Sequence, residues 1–148
     1  MRARASQTVA TAGEDGGDLA LIRALRLAAA GCWTRAERSV GEACEPPAAG
    51  EAGRLLRVLL QGLALGARRP LRAGLVGQPD LTADERALLQ LVAAAADHDK
   101  WLLEASVCWL VRPAAAATVK CAAGRLGALL RHHAVQRPLP ERIASGAS

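Results

Sequence analysis

The sequence predicts an all-α protein of about six short helices packed as helical hairpins. Of its 148 residues, 34 are alanine and 23 are leucine, and both types strongly favour helix. Aromatic residues amount to three tryptophans with no phenylalanine or tyrosine, and so few aromatic and β-branched residues argue against a β-sandwich. Apolar residues recur at helical spacing between breaks marked by glycine and proline. The length suits one domain of ordinary size.

The first half of the chain carries signals for three helices. Asp18 is a candidate N-cap for the first helix, and Gly31 is placed to end it. A second, more charged helix is expected over 34–44. Its end is predicted by the pair of prolines that follows Glu45. A third is expected over 49–67, with leucines along one side and arginines along the other.

A stretch rich in glycine and proline, residues 69–81, separates the two halves. Its breakers predict a loop with at most a short extended segment. The apolar side chains of Leu71, Leu75 and Val76 are expected to pin this loop to the core.

The second half again carries signals for three helices. Thr82 and Glu85 have the spacing of a capping box, in which each side chain bonds the backbone N–H of the other residue. The fourth helix is expected to end near Asp97, and Asp99 is a candidate cap for a fifth over 100–111. Pro113 suits the first position of a sixth helix that runs to about residue 133.

An offset of 64 residues relates the two halves weakly. It aligns residues 24–30 with 88–94 and Cys44 with Cys108. This offset raises the hypothesis of two similar three-helix halves, and chance matching in a chain rich in alanine and leucine is the alternative. We expect a single helical domain over 18–133, with flexible tails at 1–17 and 134–148.

The composition also bears on origin and compartment. The chain has a net charge of +5, with 17 arginines, two lysines and no asparagine. Codons rich in G and C explain this pattern, so we expect a bacterial protein whose basic charge is partly a codon effect. No apolar run is long enough for a bilayer span, and the first 13 residues lack the apolar segment of a secretory signal. We expect a cytoplasmic location and no membrane contact; a mitochondrial presequence is the alternative.

The four cysteines are expected to be reduced and buried as small apolar side chains. Their spacing provides none of the close cysteine pairs that zinc modules use, so we predict no metal site. His98, between two aspartates, is interpreted as part of a solvated helix junction, and a role as base or ligand is the alternative. Trp101 and Trp109 are expected to anchor the core, whereas Trp33 could instead anchor a partner.

No recognisable catalytic constellation or phosphate-binding loop occurs, so we predict no catalytic residues and no cofactor. The most informative charge pattern is a segment without acidic residues that holds five arginines. These are the candidate partner- or phosphate-binding residues: Arg54, Arg57, Arg68, Arg69 and Arg72. The first three are expected to form one stripe that the last two extend.

The pattern favours a non-enzymatic adaptor or regulator that binds another protein or a second copy of itself. A small nucleic-acid-binding regulator that uses the same arginines is the alternative. An enzyme or ligand-binding protein whose site assembles from distant residues is a third possibility.

Overall fold

The computed structural model describes residues 16–136, and within them it confirms the all-α class. The helices are α1 (Gly16–Ala29), α2 (Trp33–Glu42), α3 (Ala49–Gly66), α4 (Ala83–Ala96), α5 (Lys100–Leu110) and α6 (Pro113–Gln136), with one 3-10 turn at Pro46–Ala48. Of the two predicted tails, 1–15 and 137–148 lie outside the described residues. The remaining tail residues belong to the ends of α1 and α6.

The boundary signals in the second half lie where the sequence predicts them. Thr82 and Glu85 form the complete capping box at the start of α4. Asp99 caps α5 by accepting a hydrogen bond from the backbone N–H of Leu102 at 3.1 Å. His98 takes a left-handed conformation, with φ of 58°, in the tight junction between the two helices. Pro113 begins α6 as expected.

The helices pack as two groups of three that meet through α3 and α6. In the first group α2 contacts both α1 and α3, whereas in the second group α4 contacts both α5 and α6. The most extensive contact in the described chain joins α3 to α6. The helix that contacts both others is thus the second helix of the first group, α2, but the first helix of the second group, α4. The sequence duplication stays a prediction.

The core is built from leucine, valine and alanine. The largest apolar side chains with almost no exposure include Leu21, Leu56, Leu59, Leu91 and Leu126. Segment 67–82 has no strand; one isolated bridge pairs Ala67 with Val111. Between residues 16 and 136 no helix combines the length and the apolar character that crossing a bilayer requires.

Segment 67–82 is attached to the helices differently from the expectation. Leu71 packs against the core, but Leu75 and Val76 are exposed, so the prediction that all three pin this segment is wrong for the last two. Carboxylates hold the segment instead, because Asp84 and Glu85 accept hydrogen bonds from its backbone N–H groups at Arg72 and Gly74.

A glycine permits the close approach of α3 and α6. Gly66 is buried, and a Cβ atom added there would collide with the Cβ of Ala115. The carbonyl of Gly66 also accepts a hydrogen bond from the backbone N–H of Arg112 at 2.8 Å, so the end of α3 is fixed against the start of α6. A methyl group at this position would have to push the two helices apart.

We therefore expect Gly66→Ala to lower the free energy of unfolding by about 1–3 kcal/mol, the usual cost of overpacking a tight contact. Gly124→Ala is the matched control, because a Cβ there meets its nearest neighbour at an ordinary 3.8 Å. In the interior of α6 this control should gain about 0.5–1 kcal/mol from helix propensity. Urea titration of both variants measures the difference, and equal stabilities would contradict the close contact.

Candidate protein-binding surface

The five predicted arginines all belong to α3 or to the segment that follows it, but they contact different neighbours. Arg54 and Arg57 lie on α3, and Arg57 reaches Glu37 of α2. Arg68 and Arg69 lie after α3 and reach α5 and α4. The expected stripe is thus divided between groups that contact α2 and groups that contact α4 and α5. Its role in binding stays a prediction.

Arg57 is occupied by intramolecular contacts. Its Nε donates to Oε2 of Glu37 at 2.6 Å, and its guanidinium lies 4.7 Å from the centroid of the Trp33 ring. A half-buried surface pair of this kind contributes little stability, about 1 kcal/mol or less. The pairing nevertheless reduces the positive charge that Arg57 offers to a phosphate. Arg54 is exposed and forms no ion pair among residues 16–136.

Arg69, in segment 67–82, contacts both α4 and α5 through its guanidinium. Its Nη2 donates to Oδ1 of Asp84 at 2.7 Å and its Nη1 to Oδ2 at 3.2 Å. The backbone N–H of Arg72 donates to the same Oδ2 at 2.6 Å. The hydrogen bond from Arg69 is the main cause that holds the pKa of Asp84 below its ordinary value. On its other side the Arg69 guanidinium lies 4.9 Å from the Trp109 ring, so it also borders α5.

A second arginine–carboxylate pair lies in the interior. Arg26 donates from Nε and Nη2 to the two carboxylate oxygens of Glu85 at 2.8 and 2.9 Å. The same guanidinium donates to the carbonyls of Gln78 and Asp80 at 2.6 and 2.9 Å. The pair therefore joins α1, segment 67–82 and α4 through charge-assisted hydrogen bonds.

Glu85 is completely buried yet fully hydrogen-bonded. Besides Arg26, its carboxylate accepts from the backbone N–H groups of Gly74 at 2.7 Å and Thr82 at 2.9 Å. Burial by itself raises the pKa of Glu85, but the hydrogen bonds from Arg26 and these N–H groups outweigh it and leave the pKa below its ordinary value. The carboxyl is therefore held in its charged form.

The sequence pattern predicts a place for Glu85 in the capping box and indicates no role for Arg26. A signal was available, because Arg26 lies four residues after Ile22 on the apolar side of α1. A charged residue in a buried stripe is rare without a partner of opposite charge. Nothing in the local pattern, however, identifies a partner 59 residues away.

The outward face of α5 is apolar and uncovered. It consists of Trp101, Ala105, Cys108 and Trp109, all exposed, and we refer to these four residues as the α5 face. At helical spacing they fall within about 100° of one another around the axis. Trp101 is 81% exposed and Trp109 is 54% exposed. The prediction that these two tryptophans anchor the core is therefore wrong.

The side of α5 that packs against the core is the opposite one and carries smaller residues, so the α5 face is left in contact with solvent. Val107 and Leu110 are the buried residues of α5, and Leu103 packs against the core from a partly buried position. With eleven residues, α5 presents two large rings to solvent and buries two modest side chains. A monomer rarely leaves an apolar patch of this kind without a use for it.

Two arginines border the Trp109 end of the α5 face. Arg68 donates from Nε to the carbonyl of Cys108 at 2.6 Å, and the guanidinium of Arg69, which is paired with Asp84, lies 4.9 Å from the centroid of the Trp109 ring. Arg112 lies two residues after the end of α5 and is exposed, but it lines the groove between α3 and α6 and not the α5 face. Farther along the helix, Glu104 is paired with Lys120 at 2.5 Å. The rim at Trp109 is thus cationic.

The cysteines do not share one environment. Cys44 is buried, as predicted, and burial raises the pKa of its thiol. Cys32 is partly buried, whereas Cys108 and Cys121 are exposed. The prediction of four buried cysteines is therefore wrong for Cys108 and Cys121 and holds only in part for Cys32. Cys44 and Cys108, which the 64-residue offset aligns, therefore differ in burial.

The described part of the chain does not bring three or more side chains of histidine, cysteine, aspartate or glutamate together as a metal site requires. His98 lies exposed between its two aspartates at the junction of α4 and α5. Comparisons with protein-family models, with curated proteins and with solved structures find no significant match to this chain.

Proposed function

We propose that the protein is a non-enzymatic adaptor or regulator that binds another protein through the α5 face. The observation that carries this proposal is the exposure of Trp101 and Trp109 on one side of one helix. Tryptophan is the residue type most enriched among those that dominate binding energy at protein interfaces. Two of them, one at each end of an apolar stripe, form a surface against which the apolar side of a partner helix can pack.

The rim indicates the charge of the partner. Arg68 borders the Trp109 end and forms no ion pair among residues 16–136, so a partner helix with acidic residues beside its apolar side would meet opposite charge there. Charge complementarity of this kind speeds association and selects among partners more than it adds affinity. The apolar contact with the tryptophans supplies the larger share of the affinity.

The nucleic-acid alternative has less support than the adaptor role. Two of the five candidate arginines, Arg57 and Arg69, already pair with carboxylates within the chain. Binding to phosphates would require these contacts to be exchanged, and the remaining candidate charges would be few for a stable electrostatic complex.

Capture from cells that express the protein naturally tests the proposal. The wild type should retain a specific protein that the Trp101→Ala/Trp109→Ala variant does not retain, and light scattering shows whether that protein is a second copy of the chain. Gel-shift binding to DNA or RNA that weakens steeply with salt, and is lost on changing Arg54, Arg57 and Arg68 to glutamate, would instead support the alternative. A strict monomer that captures nothing would contradict the adaptor role.

A further inference from the structure

We infer that the protein also holds a binding site for a small amphipathic monocarboxylate, in an apolar cavity closed on one side by segment 67–82. The cavity has a volume of about 380 Å³, at the lower end of the range for small-molecule sites. It lies where α1, α3 and α4 converge, and its wall includes Leu25, Trp33, Leu63 and Leu88. This site is separate from the α5 face, which shares no residue with it.

The chemistry of the lining defines the apolar part of the ligand. Leucine and alanine side chains make up most of the wall, and the partly buried ring of Trp33 forms one side. At about 30 Å³ for each water-sized group, the volume accommodates roughly a dozen non-hydrogen atoms. A saturated chain of medium length matches this space, whereas a polar metabolite would lose its hydration without compensation.

The charged groups of the lining define the other end of the ligand. These groups are Arg72 and Asp84. Asp84 is saturated, because its oxygens accept from both terminal nitrogens of Arg69 and from the backbone N–H of Arg72. The guanidinium of Arg72, in contrast, has no hydrogen-bond acceptor among residues 16–136.

The mouth of the cavity therefore carries two cations and one anion, since Arg69 and Arg72 face Asp84. The excess positive charge lies on Arg72, at the edge of an apolar space. Its planar guanidinium can donate two parallel hydrogen bonds to a carboxylate. An apolar chain that ends in one carboxylate satisfies both the wall and this cation.

Fluorescence titration can test the site, because Trp33 lines it. In a Trp101→Phe/Trp109→Phe background Trp33 is the single tryptophan, and the probe is decanoate below its micellar concentration. Decanoate should change the Trp33 emission saturably and bind more tightly than decan-1-ol, which has the same chain without the charge. Arg72→Gln should weaken decanoate about fivefold, as expected for an exposed ion pair, and leave decan-1-ol unchanged.

Two further variants complete the test. Arg54→Gln removes an equally exposed arginine that does not line this cavity and should leave both titrations unchanged. Ala64→Phe places a ring at an exposed position of the lining and should abolish binding of both probes. Absence of binding, equal affinity for the two probes, or an Arg72→Gln variant that binds decanoate like the parent would each overturn the inference.

Discussion

Replacing Arg26 with methionine should lower the free energy of unfolding by about 3–5 kcal/mol, the cost of removing one partner from a buried ion pair. Glu85 would remain completely buried, with the N–H groups of Gly74 and Thr82 as its hydrogen-bond donors. The carbonyls of Gln78 and Asp80 would also lose their donor, which loosens segment 67–82. Urea titration at neutral pH measures the loss.

Arg57→Met is the matched control, because it makes the same substitution in a half-buried surface pair, the one with Glu37. It should cost about 1 kcal/mol or less. If Arg26→Met costs no more than this control, the buried pair does not hold the fold together in the way that its geometry indicates.

The pH dependence of the same two proteins provides an independent check on the Arg26 effect. In the wild type the pKa of Glu85 lies below its ordinary value, so its contribution is present above about pH 4.3 and is lost as the pH falls through the folded pKa. In Arg26→Met the buried carboxyl prefers its protonated form, and acid relieves the unpaired charge. The stability difference between the two proteins should therefore narrow in acid.

The second large effect concerns binding. The Trp101→Ala/Trp109→Ala variant should bind the captured partner at least about 700-fold more weakly than the wild type, because two dominant interface tryptophans at about 2 kcal/mol each contribute about 4 kcal/mol together. Trp101 is largely exposed and Trp109 about half exposed with one cation–π contact, so the fold should lose no more than about 1 kcal/mol of stability. Titration calorimetry with the purified partner separates the two effects.

Leu75→Ala is the control for nonspecific loss of apolar surface, since Leu75 is 77% exposed and lies in segment 67–82 rather than on α5. It should change the affinity by less than about threefold, because residues outside the few that dominate an interface contribute little to the binding energy. Equal losses in the control and in the tryptophan variant would contradict a specific role for the α5 face.

Helix type and helix ends could be predicted because they depend on neighbours in the sequence. The capping box at Thr82, the cap at Asp99 and the start at Pro113 each need contacts within three or four residues. Periodicity likewise locates the leucine-rich side of α3, where Leu55, Leu56 and their neighbours are buried.

The candidate site was less predictable because it depends on how the helices pack. Periodicity shows that Trp101 and Trp109 share a side of α5, but not whether that side faces the core. The structure buries Val107 and Leu110 on the opposite side of α5, and that side faces the core. Size and hydrophobicity alone assigned the tryptophans to the interior, and that assignment was wrong.

The ion-pair partners of the arginines could not be predicted for a related reason. Arginines without acidic residues nearby in the sequence are expected to be unpaired, yet Arg57 and Arg69 pair with carboxylates on other helices. Pairing over such distances depends on how the helices pack, since α2 lies against α3 and α1 lies against α4. Sequence spacing therefore overestimated the positive charge available to a ligand.

The most direct test of the central claim is photo-cross-linking from the middle of the α5 face. A photoreactive amino acid at position 105 lies between the two tryptophans, and the same group at Arg86, an exposed position of α4, is the control. In cells that express the protein naturally, position 105 should yield one distinct cross-linked protein that position 86 does not yield. Identical products at both positions, or none at position 105, would contradict the proposal that the α5 face binds a partner.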